Sequence, residues 1–185
     1  MISLKTFWKM EKKLYTLIVH SENIAGLLNQ ITAVFTRRQL NIESLNVSAS
    51  SIEGIHRYTI TTWADEDMVK KVVKQIEKKI DVLQAHYYTD SEVFMQEIAL
   101  YKLSTPAIFA NPEICRTIRY YDAPIIETNE VYTVVQKAGR TDEIDSLSKE
   151  LATYGCVLQY VNSGRVAVTR SSAEQVTAFI ESLKD

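Results

Sequence analysis

Two short polar segments of the sequence contain the residue types that bind a free amino acid. The first contains Asn23 and Gly26, and the second begins at Asn41. An asparagine side chain has both a donor and an acceptor, which suit the ammonium and the carboxylate of such a ligand. Glycine has no Cβ, so a ligand or a second backbone can approach it closely. Together these groups predict recognition of an amino acid without catalysis.

A predicted helix start completes this site. Four apolar residues recur at the spacing of one helical face: Leu27, Ile31, Val34 and Phe35. The first turn of a helix has free backbone N–H groups and the positive end of the helix dipole, which attract a carboxylate. A purely structural explanation of the same residues stays open. In that explanation Asn23 caps the helix, Gly26 relaxes the turn and Asn41 adopts a left-handed conformation after the helix.

The elements around the site predict a ferredoxin-like fold. Apolar and alternating runs predict strands over residues 14–20, 44–49, 55–63 and 81–88. Asp65 is placed to cap a second helix, which lies between the last two strands. The resulting order, βαββαβ, is that of the split βαβ arrangement.

A similar order of elements follows in the second half of the chain. It begins with a strand over residues 93–103, and Asn111 precedes a helix that has Pro112 at its first position. Residues 156–161 and 165–169 are predicted to form a hairpin. A closing amphipathic helix is predicted from four apolar residues: Val176, Phe179, Ile180 and Leu183.

Length and composition agree with two small domains. The 185 residues are predicted to form an α+β protein with two ferredoxin-like α/β sandwich domains, residues 12–90 and 91–185. The net charge of −2 argues against a nucleic-acid-binding surface. No apolar run approaches the ~20 residues that span a bilayer, and no signal peptide is visible at the N-terminus. We therefore expect a cytoplasmic protein that binds neither nucleic acid nor a membrane.

Catalytic and metal-binding motifs are absent from the sequence, which has no GxSxG, HExxH, Walker or GxGxxG motif. His20, His56 and His86 fall on three different predicted strands. His20 and His56 could meet across a sheet, but a metal site needs a third ligand, so structural or surface roles are favoured. Cys115 and Cys156 fall on apolar faces, which favours core packing over reactivity. The sequence thus predicts no catalytic residue and no metal site.

Two groups of basic residues each have two open interpretations. The first group follows the polar side of a predicted helix and is either a solvated face or a docking surface for a partner: Lys70, Lys71, Lys74, Lys78 and Lys79. The second group is either ordinary surface charge or an anion site: Arg116, Arg119, Arg165 and Arg170.

The polar segments resemble those of the acetolactate synthase small regulatory subunits, which belong to the ACT-domain family. Asn23-x-x-Gly26-Leu27, followed by FTRRQLNIESL at residues 35–45, is similar to that family's N…GxLxxxxxxFxxRGxNIESL. Further matches follow in the family's order, at residues 75–82, 97–103 and 162–170. The resemblance thereby covers roughly residues 12 to 170. One departure is Gln39, which stands where the family usually has glycine.

The resemblance implies a specific function. Family members are non-catalytic and associate with a large, thiamine-diphosphate-dependent catalytic subunit that condenses pyruvate with pyruvate or 2-oxobutyrate. They raise its activity and confer feedback inhibition, typically by valine, in the biosynthesis of branched-chain amino acids. The chain itself is then expected to hold no cofactor, whereas thiamine diphosphate, magnesium and FAD belong to the catalytic subunit.

The resemblance also implies where the effector binds. In the family, the amino acid lies at the interface between two ACT domains of a homodimer. The effector-binding positions carried over to this chain are six: Asn23, Ile24, Ala25, Gly26, Leu27 and Asn41. Ile24 and Leu27 are the candidates for contact with the aliphatic side chain of the effector. Two alternatives stay open, namely a stand-alone ACT-domain amino-acid sensor acting on another enzyme or on transcription, and an enzyme with an unrecognised site.

Overall fold

The computed structural model describes residues 12–171, which divide into two compact units. The first unit contains the chain up to Phe94 together with the segment from Ala167, and the second unit is Met95–Val166. The predicted domain limits, 12–90 and 91–185, stay a prediction. The predicted closing helix around residues 176–183 lies outside the described residues.

Within the described residues, the first unit contains a four-stranded antiparallel sheet and two helices. Its elements in chain order are β1 (Lys13–Glu22), α1 (Leu27–Arg37), β2 (Ser44–Ala49), β3 (Ile55–Ala64), α2 (Glu66–Glu77) and β4 (Val82–Tyr88). The strand order in the sheet is β2-β3-β1-β4, so β2 and β4 are the edge strands. This is the predicted βαββαβ arrangement.

The helices of the first unit form where the apolar spacing and the caps place them. The buried face of α1 consists of the four predicted residues: Leu27, Ile31, Val34 and Phe35. The Asp65 side chain accepts a hydrogen bond from the Met68 backbone N–H at 2.8 Å and so begins α2, as predicted. Both helices pack their apolar faces on one side of the sheet, against side chains such as Leu17 and Ile60.

The second unit repeats this strand order. It contains β5 (Val93–Ser104, which starts two residues earlier), α3 (Thr105–Ala110), α4 (Pro112–Tyr120), β6 (Ile125–Thr128), β7 (Tyr132–Gly139), α5 (Thr141–Thr153) and β8 (Val157–Asn162). The strands lie in the order β6-β7-β5-β8, and β9 (Val166–Thr169) also pairs with β5. Strands β5 to β8 thus take the places of β1 to β4. The predicted fold class, α+β with two ferredoxin-like arrangements, is confirmed.

The second unit contains one helix that was not predicted, and one prediction for this unit is wrong. Helix α3 was not expected from the sequence; the Ser104 side chain caps it, and six residues are too few to show a helical period. The predicted hairpin does not form, because β8 and β9 both pair with β5. Between them, the Ser163 backbone N–H donates to the Ile98 carbonyl at 2.9 Å, so the chain continues along the same edge instead of reversing.

Candidate functional site

The turn after β1 is held in place by backbone hydrogen bonds. The Glu22 N–H donates to the Asp81 carbonyl at 2.9 Å, and the Asn23 N–H donates to the Gly54 carbonyl at 3.0 Å. These bonds tie the turn to the loops before β3 and β4. The side chain of Asn23 is exposed and forms no hydrogen bond within residues 12–171, so it is available to a ligand.

Gly26 occupies the position immediately before α1. Its φ of +86° lies in the left-handed region, which a side chain disfavours. A Cβ at this position would meet no atom within 4 Å, so backbone conformation, not crowding within the chain, selects glycine here. This supports one part of the structural explanation, the relaxed turn, and leaves open space above the helix start for a ligand.

The start of α1 lacks the side-chain partners that other helices have. Its N-cap is Gly26, no side chain caps it, and its first turn contains no acidic residue. Among the helices within residues 12–171, α1 is the one that lacks both features. The others are capped by Asp65 (α2), Ser104 (α3), Asn111 (α4) and the Glu143 carboxylate (α5). Among these helices, α1 therefore has the N-terminus that is best suited to bind an external carboxylate.

Two backbone groups that the sequence did not single out belong to this helix start. The first i→i−4 bond of α1 runs from the Gln30 N–H to the Gly26 carbonyl at 3.2 Å. The N–H groups of Leu28 and Asn29 precede that bond, so they have no carbonyl partner one turn earlier in the helix. Their position in the first turn is the signal that could have identified them.

The apolar residues of the turn divide into an exposed and a buried group. Ile24 is 44% exposed and Leu28 is 40% exposed, so both can contact an aliphatic ligand. Leu27 is fully buried in the core of the first unit. Two residues were expected to contact the effector side chain. Ile24 is at the surface, whereas the side chain of Leu27 is buried and only its backbone is part of the turn.

Asn41 does not have the role that the structural explanation gave it. The left-handed conformation after α1 belongs to Gln39, with a φ of +54°, and Asn41 is not in that region. The Asn41 carbonyl accepts a hydrogen bond from the Thr62 hydroxyl at 2.6 Å, which fixes the backbone. Its exposed side chain forms no hydrogen bond in the described part of the chain. Neither Asn23 nor Asn41 is thus explained by a local structural role.

The structure does not bring Asn41 to the turn in a single chain. Residue 41 lies beside Thr62, whereas Glu22, at the end of β1, pairs with Ile55 at the opposite end of β3. Seven residues of extended strand separate these positions, a distance of roughly 20 Å. Five of the six predicted positions are therefore clustered at one end of the sheet, and Asn41 stands at the other.

The remaining candidate ligands do not form a second site. Within residues 12–171 no group of three or more His, Cys, Asp or Glu side chains is arranged to hold a metal ion. His20 is buried beside Arg57 and Gln84, and burial, followed by the charges of Arg57 and His86, lowers its pKa to about 4. Burial also raises the pKa of the Cys156 thiol, which suits core packing.

The arginine group is divided among separate partners. Arg165 is buried and lies 3.4 Å from the Glu97 carboxylate, which also accepts hydrogen bonds from Thr141 and Asn162. Arg116 pairs with Glu113 on the exposed side of α4. These two arginines are neutralised by carboxylates within the chain and do not form an anion site together.

Comparison with known proteins identifies the family. Residues 17–84 match the ACT domain of the AHAS small-subunit type, and residues 96–171 match the small subunit of acetolactate synthase. The acetolactate synthase small subunit of Bacillus subtilis is 31% identical over 169 residues, which cover 90% of this chain and 95% of that protein. The chain belongs to the acetolactate synthase small-subunit family.

Other relatives extend this assignment. The acetolactate synthase isozyme 3 small subunit of Salmonella typhimurium is 29% identical over 149 residues, 80% of this chain and 91% of that one. The crystal structure of the acetolactate synthase small subunit of Thermotoga maritima has a TM-score of 0.78 with 20% identity, covering 87% of this chain and 99% of that one. The shared fold is therefore that of a small subunit in this family over both units.

Membership in the family is consistent with a regulatory, non-catalytic role and implies a large catalytic subunit as partner. Among the helices of residues 12–171, none has the length and apolar character needed to cross a membrane.

Proposed function

We propose that this chain activates the acetolactate synthase catalytic subunit and makes it sensitive to a branched-chain amino acid, with valine as the first candidate. In this proposal the chain has no catalytic residues. The catalytic subunit holds thiamine diphosphate, magnesium and FAD and performs the condensation. The observation that carries the effector part is the start of α1, where Gly26 leaves the first-turn N–H groups without a side-chain cap.

Each part of an amino acid has a counterpart at this helix start. The carboxylate accepts hydrogen bonds from the N–H groups of Leu28 and Asn29 and is stabilised by the helix dipole. The ammonium donates to the amide oxygen of an asparagine. The aliphatic side chain contacts Ile24 and Leu28, which are partly exposed. The ligand class that fits is a small amino acid with a branched apolar side chain.

The separation of Asn41 from the turn supports a site shared by two chains. Strand β2 is an edge strand of the first sheet, so its outer side can pair with β2 of a second copy. A two-fold axis between antiparallel edge strands places opposite ends of the two sheets beside each other. In such a homodimer Asn41 of one copy approaches the Asn23–Gly26 turn of the other, and the pair forms two equivalent sites.

Regulation then follows from the coupling of effector binding to the pairing of first units. An effector that contacts both copies stabilises one arrangement of the pair, and the catalytic subunit responds to that arrangement. Coupling free energies between distinct sites are typically ~1–3 kcal/mol, a 5- to 150-fold change in affinity. Such a change is sufficient to inhibit a biosynthetic enzyme when its end product accumulates.

The test is calorimetric titration of the full chain with L-valine, comparing the wild type with Gly26→Asp. The substituted carboxylate occupies the open space above the helix start and repels the carboxylate of the ligand, so we expect binding to be lost. Gly155→Asp is the matched control, because Gly155 also has a positive φ, of +63°, and open space around its Cβ position. Both variants incur a similar backbone cost, but Gly155→Asp is expected to bind like the wild type.

The same variants test the regulatory role when they are mixed with the catalytic subunit. Gly26→Asp is expected to keep activating the synthase while valine no longer inhibits it. Normal valine binding by Gly26→Asp would reject the site. Failure of the wild-type chain to associate with a catalytic subunit would favour the stand-alone sensor instead.

A further inference from the structure

The second unit contains a cavity that is lined by the end of α4, the start of α5 and one side chain of β7. Its volume is about 500 Å³, and sites for small molecules typically have ~300–1,000 Å³. Every residue that lines the cavity belongs to the second unit. The cavity therefore shares no residue with the helix start of α1, which belongs to the first unit.

The side chain from β7 is a lysine whose hydrogen-bonding capacity is not exhausted. The Lys137 ammonium donates to the Tyr121 backbone carbonyl at 2.7 Å. Within residues 12–171 Lys137 forms no ion pair and no other hydrogen bond. An ammonium has three N–H donors, so two of them are available to an acceptor in the cavity.

A glycine on the same strand allows this lysine to lie beside a carboxylate. A Cβ on Gly139 would overlap the Glu143 carboxylate and would lie 3.3 Å from Cε of Lys137. The Glu143 carboxylate also accepts a hydrogen bond from the Arg140 backbone N–H at 2.9 Å, which holds it at the start of α5. This part of the cavity wall is therefore fixed before any ligand enters, which lowers the entropic cost of binding.

The cavity also contains a carboxylate that has no partner. The exposed Asp122 side chain, two residues after the end of α4, forms no hydrogen bond in the described part of the chain. Asp142 is paired with Arg140 at 3.2 Å, and Glu143 caps α5. One ammonium and one carboxylate, those of Lys137 and Asp122, thus line the cavity without forming an ion pair with each other or with another side chain.

Two tyrosine rings supply the apolar part of the cavity. The Tyr120 ring is 82% exposed and lies edge-on to the Tyr121 ring, with 5.1 Å between the ring centres and an angle of 84° between the planes. The Tyr121 hydroxyl is hydrogen-bonded to Glu150 of α5, which raises the pKa of Tyr121 and joins the two helices. Tyr121 is thereby held in place, and the exposed Tyr120 ring offers apolar surface to a ligand.

We propose that this cavity binds a free α-amino acid with a bulky apolar side chain. The ligand carboxylate accepts hydrogen bonds from Lys137, the ligand ammonium pairs with Asp122, and the side chain packs against the Tyr120 ring. A ligand with only a positive charge would leave the Lys137 donors unused, and one with only a negative charge would leave Asp122 unpaired. A zwitterion satisfies both groups at once.

A site of this kind gives the chain a second amino-acid input, and it goes beyond the proposed function. The ligand contacts side chains that come together only in the folded second unit, so its binding stabilises that unit by mass action. We therefore expect the ligand to slow hydrogen exchange in α4 and α5 and to leave α1 unchanged.

The test is calorimetric titration of the full chain with three probes of similar shape and different charge. L-phenylalanine is the zwitterion, 2-phenylethylamine lacks the carboxylate, and 3-phenylpropanoate lacks the ammonium. We expect saturable binding of L-phenylalanine, and binding of each of the other two that is weaker by about tenfold or more, the loss typical of a hydrogen bond to a charged group. No binding of L-phenylalanine, or equal binding of either single-charge probe, would overturn the proposal.

Two substitutions locate the bound probe. Asp122→Asn removes the charge and keeps the backbone, because asparagine tolerates the left-handed φ of +48° as aspartate does. Lys137→Met keeps the length of the side chain and removes its donors. Each is expected to weaken L-phenylalanine binding by about tenfold or more. The matched controls are Asp145→Asn and Lys149→Met, which change exposed residues of α5 outside the cavity and are expected to bind like the wild type.

Equal losses in the cavity variants and in their controls would show that net charge, and not the cavity, determines binding, which would overturn the proposal. Gly26→Asp separates this site from the one at α1. We expect Gly26→Asp to lose L-valine and keep L-phenylalanine, and Asp122→Asn to do the reverse. Loss of L-phenylalanine in Gly26→Asp would place this ligand at α1 and overturn the cavity site. Retention of L-valine in Gly26→Asp would reject only the effector site of the proposed function.

Discussion

The two units share a strand order and differ in how their first long helix begins. Helix α1 follows a left-handed glycine and has no side-chain cap, whereas α4 follows Asn111, whose side chain accepts a hydrogen bond from the Glu113 N–H at 3.1 Å. Pro112 has no N–H, and the Glu113 carboxylate lies in the same first turn. The start of α4 is therefore occupied by side chains of its own helix, whereas the start of α1 is left without a side-chain cap, although the topology is the same.

The outward faces of the two sheets differ as well. On the first sheet this face carries polar side chains that are buried, including Thr16, His20, Thr59 and Thr61. On the second sheet it carries exposed aliphatic side chains such as Leu100 and Val161. The two units thus share a fold but differ in the chemistry of their surfaces, which the sequence of each unit determines. Each unit therefore has surfaces suited to different contacts.

The largest expected effect concerns the buried ion pair of the second unit. Glu97→Gln leaves the buried Arg165 without its counter-charge, and loss of one partner from such a pair costs about 3–5 kcal/mol. We expect the free energy of unfolding in urea to fall by about that amount. Hydrogen exchange should accelerate at β5 amides and remain slow in β3, because the first unit contains neither residue.

An exposed ion pair in the same unit provides the control for this prediction. Glu113→Gln removes the partner of Arg116, and both side chains are exposed. Exposed pairs contribute at most about 1 kcal/mol. A loss of similar size in both variants would show that the Glu97 carboxylate does not stabilise the second unit through its burial.

The next largest effect concerns acid stability of the first unit. The pKa of His20 is about 4, below its ordinary value of 6.5, because burial disfavours the charged form. Between about pH 4 and pH 6.5, His20 therefore takes up a proton when the protein unfolds. The contribution of His20 to stability is complete above pH 6.5, falls as the pH drops toward 4 and is lost below that, by up to about 3 kcal/mol in total.

Removal of the imidazole tests this pH dependence. Urea unfolding of His20→Gln, followed from pH 7.5 to pH 4, is expected to show a smaller loss of stability than the wild type over the same range. His56→Gln, on the neighbouring strand, is expected to keep the wild-type dependence. An unchanged profile in His20→Gln would assign the acid sensitivity to other groups.

The smallest of these effects concerns the helix cap of the second unit. Asn111→Ala removes the side-chain acceptor at the start of α4, which typically costs about 1 kcal/mol. We expect a loss of that size in thermal unfolding. Asn23→Ala, which removes a side chain without any capping bond, is expected to leave stability within about 0.5 kcal/mol of the wild type. A similar loss in both variants would remove the distinction between the two helix starts.

Much of this fold could be predicted because its signals are local. The buried face of α1 and the Asp65 cap depend on side-chain spacing within a few turns, and both are confirmed. Helix α3 was missed because a six-residue helix has no period to detect. Its signals were Ser104 as a cap and Pro106 near the start.

Other features depend on partners that are distant in sequence. Asn162-Ser163-Gly164 resembles a hairpin turn, but Ser163 bonds to Ile98 in β5, so the chain continues along one edge. The six predicted effector positions could be named from the sequence, whereas their distribution over opposite ends of the sheet could not. That distribution depends on the strand order, which places Asn41 beside Thr62.

In one chain, roughly 20 Å separates Asn41 from the turn after β1. Under the proposed function the effector site therefore needs two chains, and the effector affinity depends on the protein concentration. A site that needs two copies is lost when the copies separate, so dilution lowers the apparent affinity in proportion to the unpaired fraction. The effector in turn increases the paired fraction. The abundance of this chain, as well as the concentration of the amino acid, would then set the threshold at which synthesis stops.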